Sequence, residues 1–471
     1  MTIDRTRRRI DRLPPGEIHA VGAAGLETAS MVRYLVEAGR DDIVLHDRSG
    51  DFDYAIDMAH RLQPPDQVAR TRTALAGCRE LRAGPDYLAG VESAVTVLAP
   101  VSWFLAPANA RLVPLQDRFV YFPDACFDLW RGSVIGVTGS FGKTTTTRFA
   151  AALTGGVACG NDREFCCDLA ALAAAPADAR MAFEASNRHL RNGFRRVLDV
   201  GVLTGITLNH EPDHGSFEAY RRVKYSMADR CRDFLYHAAI PAAFPDAAVV
   251  AERGTPYGGG GWRLVEEVAV DPGGGCWPVP GVAGLSPVDQ DNALAAVAAA
   301  AQCGVSASDI QRRSGSLAAT TPRYRHSASV TGGRLIINDA ASCTPASTEA
   351  LVRRLDQRFA LICGGDRQRY REGEFRPLAA AVAANPHAGP VYTIGPMAGH
   401  LTAALQAAGF RAVARAADLD QAVERALREP ATTVVFSPGC GTGAMFADKY
   451  VRGEAFDDAV TRLVSAGQTT P

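Results

Sequence analysis

The chain has 471 residues, enough for about three domains of ordinary size, and a hydrophobic content of 47% that is typical of soluble α/β proteins. Its 50 basic and 51 acidic residues leave a net charge of −1, so the composition indicates neither nucleic acid nor an anionic membrane as a partner. There is no apolar run of about 18 residues, no signal-peptide core and no C-x-x-C pair, and the eleven cysteines are scattered. We therefore expect a cytoplasmic protein without a transmembrane segment, a disulfide framework or a zinc site.

The first 131 residues are predicted to form a Rossmann-like domain. Residues 18–23 have the apolar, β-branched content of a strand, 28–38 the pattern of a helix, and 42–47 that of a second strand. The turn after the first strand contains Gly22 and Gly25 but lacks the full G-x-G-x-x-G fingerprint of a dinucleotide site. A nicotinamide-dependent oxidoreductase is therefore disfavoured, although it remains an alternative.

A phosphate-binding loop is predicted directly after the strand at 134–138. The sequence G-S-F-G follows at 139–142, and Lys143 and Thr144 open a stretch that is predicted to be a helix. In this order, backbone N–H groups face an anion, Lys143 can reach the outer phosphates of a nucleotide, and the Thr144 hydroxyl can bind Mg²⁺. The strict Walker pattern fails because Val137 occupies the place of its first glycine. A kinase or GTPase is disfavoured because we find no Walker B strand that ends in aspartate.

Apolar strands and alanine-rich helices continue to alternate as far as about residue 318. Two predicted strands, 180–184 and 200–207, are followed by or end in polar side chains, among them Glu184 and His214. Ligands of open α/β sheets bind at the carboxyl ends of strands, so chemistry is expected at these positions. The span 254–287 is rich in glycine and proline and is predicted to be irregular, whereas 290–303 is predicted to be a helix.

The last 150 residues or so are predicted to be a further doubly wound α/β domain. Four apolar runs, at 334–338, 359–363, 390–394 and 432–436, end in turns and are separated by helical patterns. The predicted fold class is thus α/β, with a Rossmann-like N-terminal domain, a central P-loop domain with a mostly parallel sheet, and a Rossmann-like C-terminal domain.

Together the motifs of this chain resemble those of the Mur ligase family, in its D-glutamate-adding branch. Eight segments carry the resemblance in the order of the family: T-G-S-F-G-K-T at 138–144, C-G-N at 159–161, E-A-S-N at 184–187, L-N-H-E-P-D-H at 208–214, A-Y-R-R-V-K at 219–224, N-A-L-A-A at 292–296, N-D at 338–339, and S-P-G-C with R-G at 437–440 and 452–453. No single segment beyond the phosphate loop is specific, but the order of the set is.

The resemblance implies an ATP-dependent, ADP-forming amide ligase. Such an enzyme activates the carboxylate of an acceptor as an acyl phosphate and joins it to an amino acid, here glutamate added to UDP-N-acetylmuramoyl-L-alanine during the synthesis of peptidoglycan precursors. It also implies three domains: an acceptor domain at 1–131, an ATPase domain at 132–318 and an amino-acid domain at 319–471. The expected partners are small molecules, with no nucleic acid and no membrane, and a monomer is expected.

The resemblance further implies roles for individual residues. Lys143, His214 and Lys224 are the expected catalytic residues, and two Mg²⁺ ions are expected at Thr144, Glu184, His214 and Lys224. A lysine ammonium cannot bind a metal, so Lys224 is expected to be carbamylated, which turns it into an anionic oxygen ligand. The nucleotide is expected at Gly139, Ser140, Gly142, Lys143, Thr144, Thr145, Asn292, Arg325 and Asp339. The other substrates are expected at Asn161, Ser186, Cys343, Gln368, Thr442 and Lys449.

The chain departs from the family pattern mainly where the amino acid is recognised. After Asp339 it reads A-A-S-C-T in place of S-K-A-T-N, and Gln368 stands where a lysine is usual. Thr442 replaces a serine, and Lys449 replaces an aromatic residue. Removing the charge partners of a carboxylate weakens its binding, so two alternatives stay open. One is a ligase for a different amino acid or acceptor, and the other is a non-catalytic relative that binds a partner.

Overall fold

The computed structural model describes residues 8–164, 168–207, 211–366, 373–430, 433–443 and 445–467. The chain forms two compact units, 1–321 and 322–471. Among the residues that the structure describes, no helix is long and apolar enough to cross a membrane.

The first sheet has five parallel strands in the order β3-β2-β1-β4-β5. The strands are β1 (Ile18–Val21), β2 (Ile43–Asp47), β3 (Glu80–Ala83), β4 (Thr96–Leu98) and β5 (Phe119–Val120), and the helices are α1 (Leu26–Glu37), α2 (Phe52–His60), α3 (Pro65–Ala76) and α4 (Phe122–Leu129). Every residue of β1 and β2 is buried, as expected of parallel strands covered on both faces. This arrangement is Rossmann-like, as the sequence predicts.

A second parallel sheet has six strands in the order β11-β10-β9-β6-β8-β7, so that the strand leading into the phosphate loop, β6, lies inside the sheet. These strands are β6 (Ser133–Thr138), β7 (Val157–Gly160), β8 (Arg180–Glu184), β9 (Leu198–Leu203), β10 (Cys231–His237) and β11 (Thr255–Tyr257). The helices that accompany them are α5 (Lys143–Thr154), α6 (Leu169–Ala174), α7 (Asn187–Asn192), α8 (Glu211–His214), α9 (Phe217–Tyr225), α10 (Ala239–Ala243), α11 (Ala248–Arg253), α12 (Pro287–Gln302) and α13 (Ala307–Ser314).

The span predicted to be irregular contains more regular structure than its glycine and proline content indicates. Besides β11, it holds a three-stranded antiparallel sheet of β12 (Arg263–Val265), β13 (Val268–Val270) and β14 (Cys276–Pro278). These strands have three residues each, which is too short for an alternating pattern to be recognised in the sequence. Helix α12 follows. Its residues 293–300 are almost completely buried because β9 and β10 of the six-stranded sheet and helix α5 pack against it.

The unit 322–471 contains a six-stranded sheet in the order β15-β16-β20-β17-β18-β19, parallel except for the edge strand β15. The strands are β15 (Ser327–Thr331), β16 (Arg334–Asn338), β17 (Phe359–Gly364), β18 (Ala388–Ile394), β19 (Val413–Arg415) and β20 (Thr433–Phe436), and the helices are α14 (Pro345–Val352), α15 (Arg376–Ala384), α16 (Ala398–Ala407), α17 (Leu419–Arg428) and α18 (Lys449–Gly467). The four predicted strands are all present, and the α/β fold class is confirmed.

Candidate functional site

The phosphate loop joins the end of β6 to the start of α5 and is held against the end of β9. Gly139 and Gly142 have φ angles of 151° and 78°, which favour glycine. A Cβ atom at Gly139 would lie 2.1 Å from Thr204 Oγ1, so the close approach to β9 also requires glycine. The Ser140 backbone N–H donates to the Gly205 carbonyl (2.6 Å). The loop thereby places the N-terminus of α5 at the carboxyl ends of the parallel strands. A helix N-terminus is a favourable position for an anion.

The side chains of the loop fold back onto their surroundings. Lys143 Nζ donates to the Ser140 carbonyl (3.1 Å), and the hydroxyls of Ser140 and Tyr220 lie 2.9 Å apart. Thr145 is buried, and its hydroxyl has no hydrogen-bond partner within the described part of the chain. Lys143 is thus hydrogen-bonded to the loop itself. To reach a phosphate, it would have to break its bond to the Ser140 carbonyl.

Two predicted residues, Thr144 and Asn161, contact a third, Glu184, which is the last residue of β8. The Thr144 hydroxyl donates to Glu184 Oε2 (2.7 Å), and Asn161 Nδ2 donates to Glu184 Oε1 (3.2 Å). Glu184 is only 2% exposed, so its carboxylate oxygens are hydrogen-bonded by these donors and not by bulk water. A carboxylate and a hydroxyl in contact at the start of α5 form a pair of hard oxygen donors, which is the chemistry that Mg²⁺ prefers.

Lys224, in the last turn of α9, is buried beside the same loop. Its Nζ donates to Thr138 Oγ1 (2.9 Å), and Thr138 in turn donates to the Ala185 carbonyl (2.7 Å). Burial lowers the pKa of Lys224 well below its ordinary value, and the charge of Lys143 lowers it further, while Glu184 opposes both effects. Burial thus favours the uncharged amine over the ammonium at this position.

His214 is the last residue of α8 and lies against Tyr220. Its ring centroid is 5.6 Å from that of Tyr220, and Asn187 Nδ2 lies 3.0 Å from His214 Nε2. Burial is the main cause that lowers the pKa of His214, so the neutral imidazole that a metal needs is favoured. Within the described ranges, no three or more His, Cys, Asp or Glu side chains are close enough together to hold a metal ion.

Two other predicted residues of this unit have structural contacts. Asn292 accepts a hydrogen bond from the Thr146 hydroxyl (3.2 Å), and a Cβ atom at Gly142 would lie 2.5 Å from Asn292 Oδ1, so this side chain supports the phosphate loop from α12. Ser186 caps α7, where its hydroxyl accepts from the His189 backbone N–H (3.1 Å).

In the unit 322–471, Asp339 follows β16 and is completely buried. Its Oδ2 accepts from the hydroxyls of Ser342 and Ser437 (2.7 Å for the latter), and its Oδ1 accepts from the backbone N–H of His326 (3.2 Å). Nearby, the half-buried Arg325 has an Nε atom that is buried without a hydrogen-bond partner among the described residues. Asp339 thus joins three segments of the unit, while Arg325 has an unused donor.

Of the predicted amino-acid residues, Cys343 lies beside a buried arginine, Arg452, which belongs to the R-G segment at 452–453 and for which the resemblance implied no role. Arg452, in α18, donates to the carbonyls of Ala340 (2.6 Å) and Cys440 (2.9 Å), and its Nη2 lies 3.4 Å from Cys343 Sγ. Thr442 follows in the same half-buried loop as Cys440, and Lys449, the first residue of α18, places its Nζ 4.8 Å from the ring centroid of Tyr450. Gln368 lies outside the described residues.

One signal in the composition could have strengthened these assignments. Only three of the 50 basic residues are lysines, and they are Lys143, Lys224 and Lys449. Arginine cannot lose its proton in a protein, whereas lysine can. The chain therefore has lysine only at positions where the resemblance predicts catalysis or substrate binding.

The fold and the site define a multidomain α/β protein with a phosphate loop in its central parallel sheet. Residues 323–440 match the family model described as the Mur ligase, glutamate ligase domain. The chain is 27% identical over 428 residues to a UDP-N-acetylmuramoylalanine–D-glutamate ligase of Chromohalobacter salexigens, a match that covers 83% of this chain and 91% of that protein. A relative of the same name from Symbiobacterium thermophilum is 28% identical and covers 71% of this chain and 77% of that protein.

Solved structures with a similar fold include two ligases of Thermotoga maritima. The UDP-N-acetylmuramate-alanine ligase of Thermotoga maritima matches with a TM-score of 0.59 at 13% identity, over 95% of this chain and 100% of that chain. The MurF ligase of Thermotoga maritima, solved in complex with ADP, matches with a TM-score of 0.54 at 15% identity, over 99% of this chain and 100% of that chain. Residues 323–440 therefore match a Mur ligase domain, and the predicted resemblance of the chain to Mur ligases is confirmed. The solved structures show that the fold is shared.

Proposed function

We propose that this protein is an ATP-dependent, ADP-forming acid–amino-acid ligase that adds glutamate to UDP-N-acetylmuramoyl-L-alanine. The observation that carries the proposal is the convergence of Lys143, the Thr144–Glu184 pair and the buried amine of Lys224 around one phosphate loop. Relatives that are named for this reaction, over most of the chain, support it. The assigned roles follow the domains 1–131 for the acceptor, 132–318 for ATP and 319–471 for the amino acid.

Making an amide from a carboxylate requires the carboxylate to be activated. In the proposed reaction a carboxylate oxygen of the acceptor attacks the γ-phosphorus of ATP, ADP leaves, and the amine of the amino acid then displaces phosphate from the acyl phosphate. Lys143 would leave the Ser140 carbonyl and pair with the charge of the transferred phosphoryl group. The N–H groups at the start of α5 would bind the remaining phosphate oxygens.

The residues present fit a divalent cation at the phosphate loop. The Thr144 hydroxyl donates a hydrogen bond to Glu184, so the lone pairs of its oxygen stay available, and among the described residues the second Glu184 oxygen accepts only from Asn161. Mg²⁺, when bound there, would neutralise charge on the phosphates. His214, with its pKa lowered, would complete a second ion site together with a carbamylated Lys224.

The buried amine of Lys224 is suited to carbamylation. An uncharged amine adds to CO₂ and releases one proton, leaving a carbamate on Nζ. The test uses the small number of lysines: under ¹³CO₂, the wild-type protein should show one carbamate ¹³C signal, and Lys224→Met should lack it. Lys143→Met serves as the control and should retain the signal.

The C-terminal departures favour a second candidate, a ligase for a different amino acid. Cys343, which contacts Arg452, lies in a segment that lacks the lysine usual in the family. Lys449 adds a positive charge where the family has an aromatic ring. These two residues, with Thr442 and Gln368, would then select the amino acid, while Arg325 and Asp339 would contact the nucleotide.

One assay separates these possibilities. Purified protein is incubated with ATP, Mg²⁺, UDP-N-acetylmuramoyl-L-alanine and each member of a panel of L- and D-amino acids, and phosphate release and product mass are measured. D-Glutamate alone supporting product formation agrees with the first proposal, and another amino acid agrees with the second. Lys143→Ala should abolish product formation, and a protein that turns over no combination would be the non-catalytic relative.

A further inference from the structure

Helix α7 contacts both the N-terminal sheet domain and the segment that carries His214. It has only six residues, 187–192, and follows Glu184 after the cap residue Ser186. Five of its side chains reach residues that are far away in the sequence, and their contacts form two groups. Such a short helix gains little from its own hydrogen bonds, so these contacts determine its position.

The first group of contacts connects α7 with residues 1–131. His189 is completely buried, and its Nε2 lies 2.8 Å from Glu27 Oε1, in the first turn of α1. The guanidinium of Arg191 lies 3.8 Å from the ring centroid of Phe104, and Asn192 Nδ2 donates to the carbonyl of Val101 (2.7 Å). Glu27 follows directly on the Gly22–Gly25 turn, so α7 is joined to the loop that follows the first strand of this domain.

The second group connects α7 with the segment 211–214. Asn187 reaches His214 Nε2 (3.0 Å) and Asp213 Oδ2 (3.4 Å), and Arg188 donates to Asp213 Oδ2 (3.1 Å). Arg191, which also covers Phe104, donates to the Asp213 carbonyl. One arginine therefore contacts both sides.

The hydrogen bonds of His189 fix its tautomer. The Ser186 backbone N–H donates to His189 Nδ1 (3.3 Å), so Nδ1 must be the acceptor. The proton then lies on Nε2, which donates to Glu27. The ring is therefore hydrogen-bonded both to α1 and to Ser186, the residue that caps α7 and lies two residues after Glu184.

We propose that α7 sets the distance between the turn at 22–27 and the segment at 211–214, with His189 and Arg191 as positioning residues that align the acceptor with the nucleotide. This inference rests on the proposed function. Within the described part of the chain, neither side chain makes a hydrogen bond or ring contact with the phosphate loop, so both act through the segments they join.

The test compares His189→Ala, His189→Gln and a matched control, His237→Ala. His237 has a similar but weaker and partly exposed bonding pattern: its Nδ1 accepts from the Ala239 backbone N–H (3.2 Å), and its Nε2 lies 3.5 Å from Asp291 Oδ2. Both of these partners lie within 132–318. With UDP-N-acetylmuramoyl-L-alanine as the acceptor, His189→Ala should raise the KM for the acceptor about tenfold and leave the KM for ATP unchanged. Glutamine has an acceptor and a donor, so His189→Gln should restore most of the loss.

Amide hydrogen exchange supplies a readout that does not depend on turnover. His189→Ala should accelerate exchange in peptides covering 22–37 and 211–216, and His237→Ala should not. Exchange that rises only within 186–193, or KM values for acceptor and ATP that rise together, would overturn the inference. A wild-type protein that turns over no substrate pair would overturn the proposed function instead, and the exchange data would still decide whether α7 joins the two segments.

Discussion

Replacing the buried Lys224 by methionine should stabilise the protein while abolishing its activity. The substitution keeps an unbranched side chain one atom shorter than lysine and removes the amine from a fully buried position. Removing the amine loses its hydrogen bond to Thr138, which is worth about 1 kcal/mol. Thr138 keeps its own donor bond to the Ala185 carbonyl, so it is not left without a partner. Removing the amine also removes the cost of burying it, which is about 1–3 kcal/mol for a polar group taken out of water, and this offsets the lost hydrogen bond.

The size of the effect depends on pH in a defined direction. The pKa of Lys224 is lowered in the folded state, so over the range between the folded and unfolded pKa values the unfolded chain binds one more proton. Wild-type stability therefore rises with pH towards the unfolded pKa of about 10.4, at up to about 1.4 kcal/mol per pH unit, and this contribution is lost as pH falls. The variant lacks this dependence, so its stability advantage should narrow as pH rises from 8 to 10, by no more than about 1.4 kcal/mol per pH unit.

The four tryptophans, Trp103, Trp130, Trp262 and Trp277, make this measurable, because all of them lie in the unit 1–321. Urea unfolding followed by tryptophan fluorescence in CO₂-free buffer at pH 8, 9 and 10 gives the free energy of unfolding of that unit. Arg222→Met, an exposed position on the same helix, is the control and should show no narrowing. A variant that is less stable than the wild type at pH 8, or a difference that does not change with pH, would refute the reasoning.

Three further changes should have defined effects. Gly142→Ala places a Cβ 2.5 Å from Asn292 Oδ1 at a φ of 78°, so ADP binding, measured by calorimetry, should weaken at least tenfold, whereas Gly215→Ala, with a φ of 81° and open space, should not affect it. Burial lowers the pKa of His46 to about 4, so wild-type stability should fall by roughly 2–3 kcal/mol as pH drops from 6.5 to 4, and His46→Asn should flatten this fall in urea titrations. Asp339→Asn sets an amide donor against two hydroxyl donors and should lower the stability of the unit 322–471 by about 2 kcal/mol in calorimetry.

Each of these expectations has a contrary result. Equal ADP affinity for the two glycine variants would show that the contact with Asn292 does not shape the loop. An unchanged acid profile in His46→Asn would assign the loss of stability to other groups. An Asp339→Asn protein with wild-type thermal stability would show that its serine donors rotate to other acceptors at little cost.

Much of the fold could be predicted from the sequence because its signals are local. The parallel strands are short apolar runs, the phosphate loop has its glycines and lysine in consecutive positions, and helix starts have their capping residues nearby. The short strands β12, β13 and β14 were not predicted, since three residues give no readable period. The predicted strand at 200–207 ends at Leu203, where the chain turns to meet the phosphate loop through Gly205.

The candidate site could be predicted only as a set of residues. Thr144, Asn161 and Glu184 belong to three segments whose contact depends on the order of β6, β7 and β8 in the sheet, and spacing along the chain does not encode that order. The buried state of Lys224 likewise depends on how α9 packs, because the same helix with its lysine in water would have the same sequence pattern.

The sequence by itself determined which chemistry this chain carries: a glycine loop with a lysine, a few polar strand ends, and arginine in place of lysine everywhere else. Only the tertiary structure decided which side chains are hydrogen-bonded to one another and which are buried. It also decided that α7 contacts two distant segments. The physical reason is that chain neighbours set local conformation, whereas hydrogen bonding, burial and the resulting pKa shifts depend on groups that approach through space.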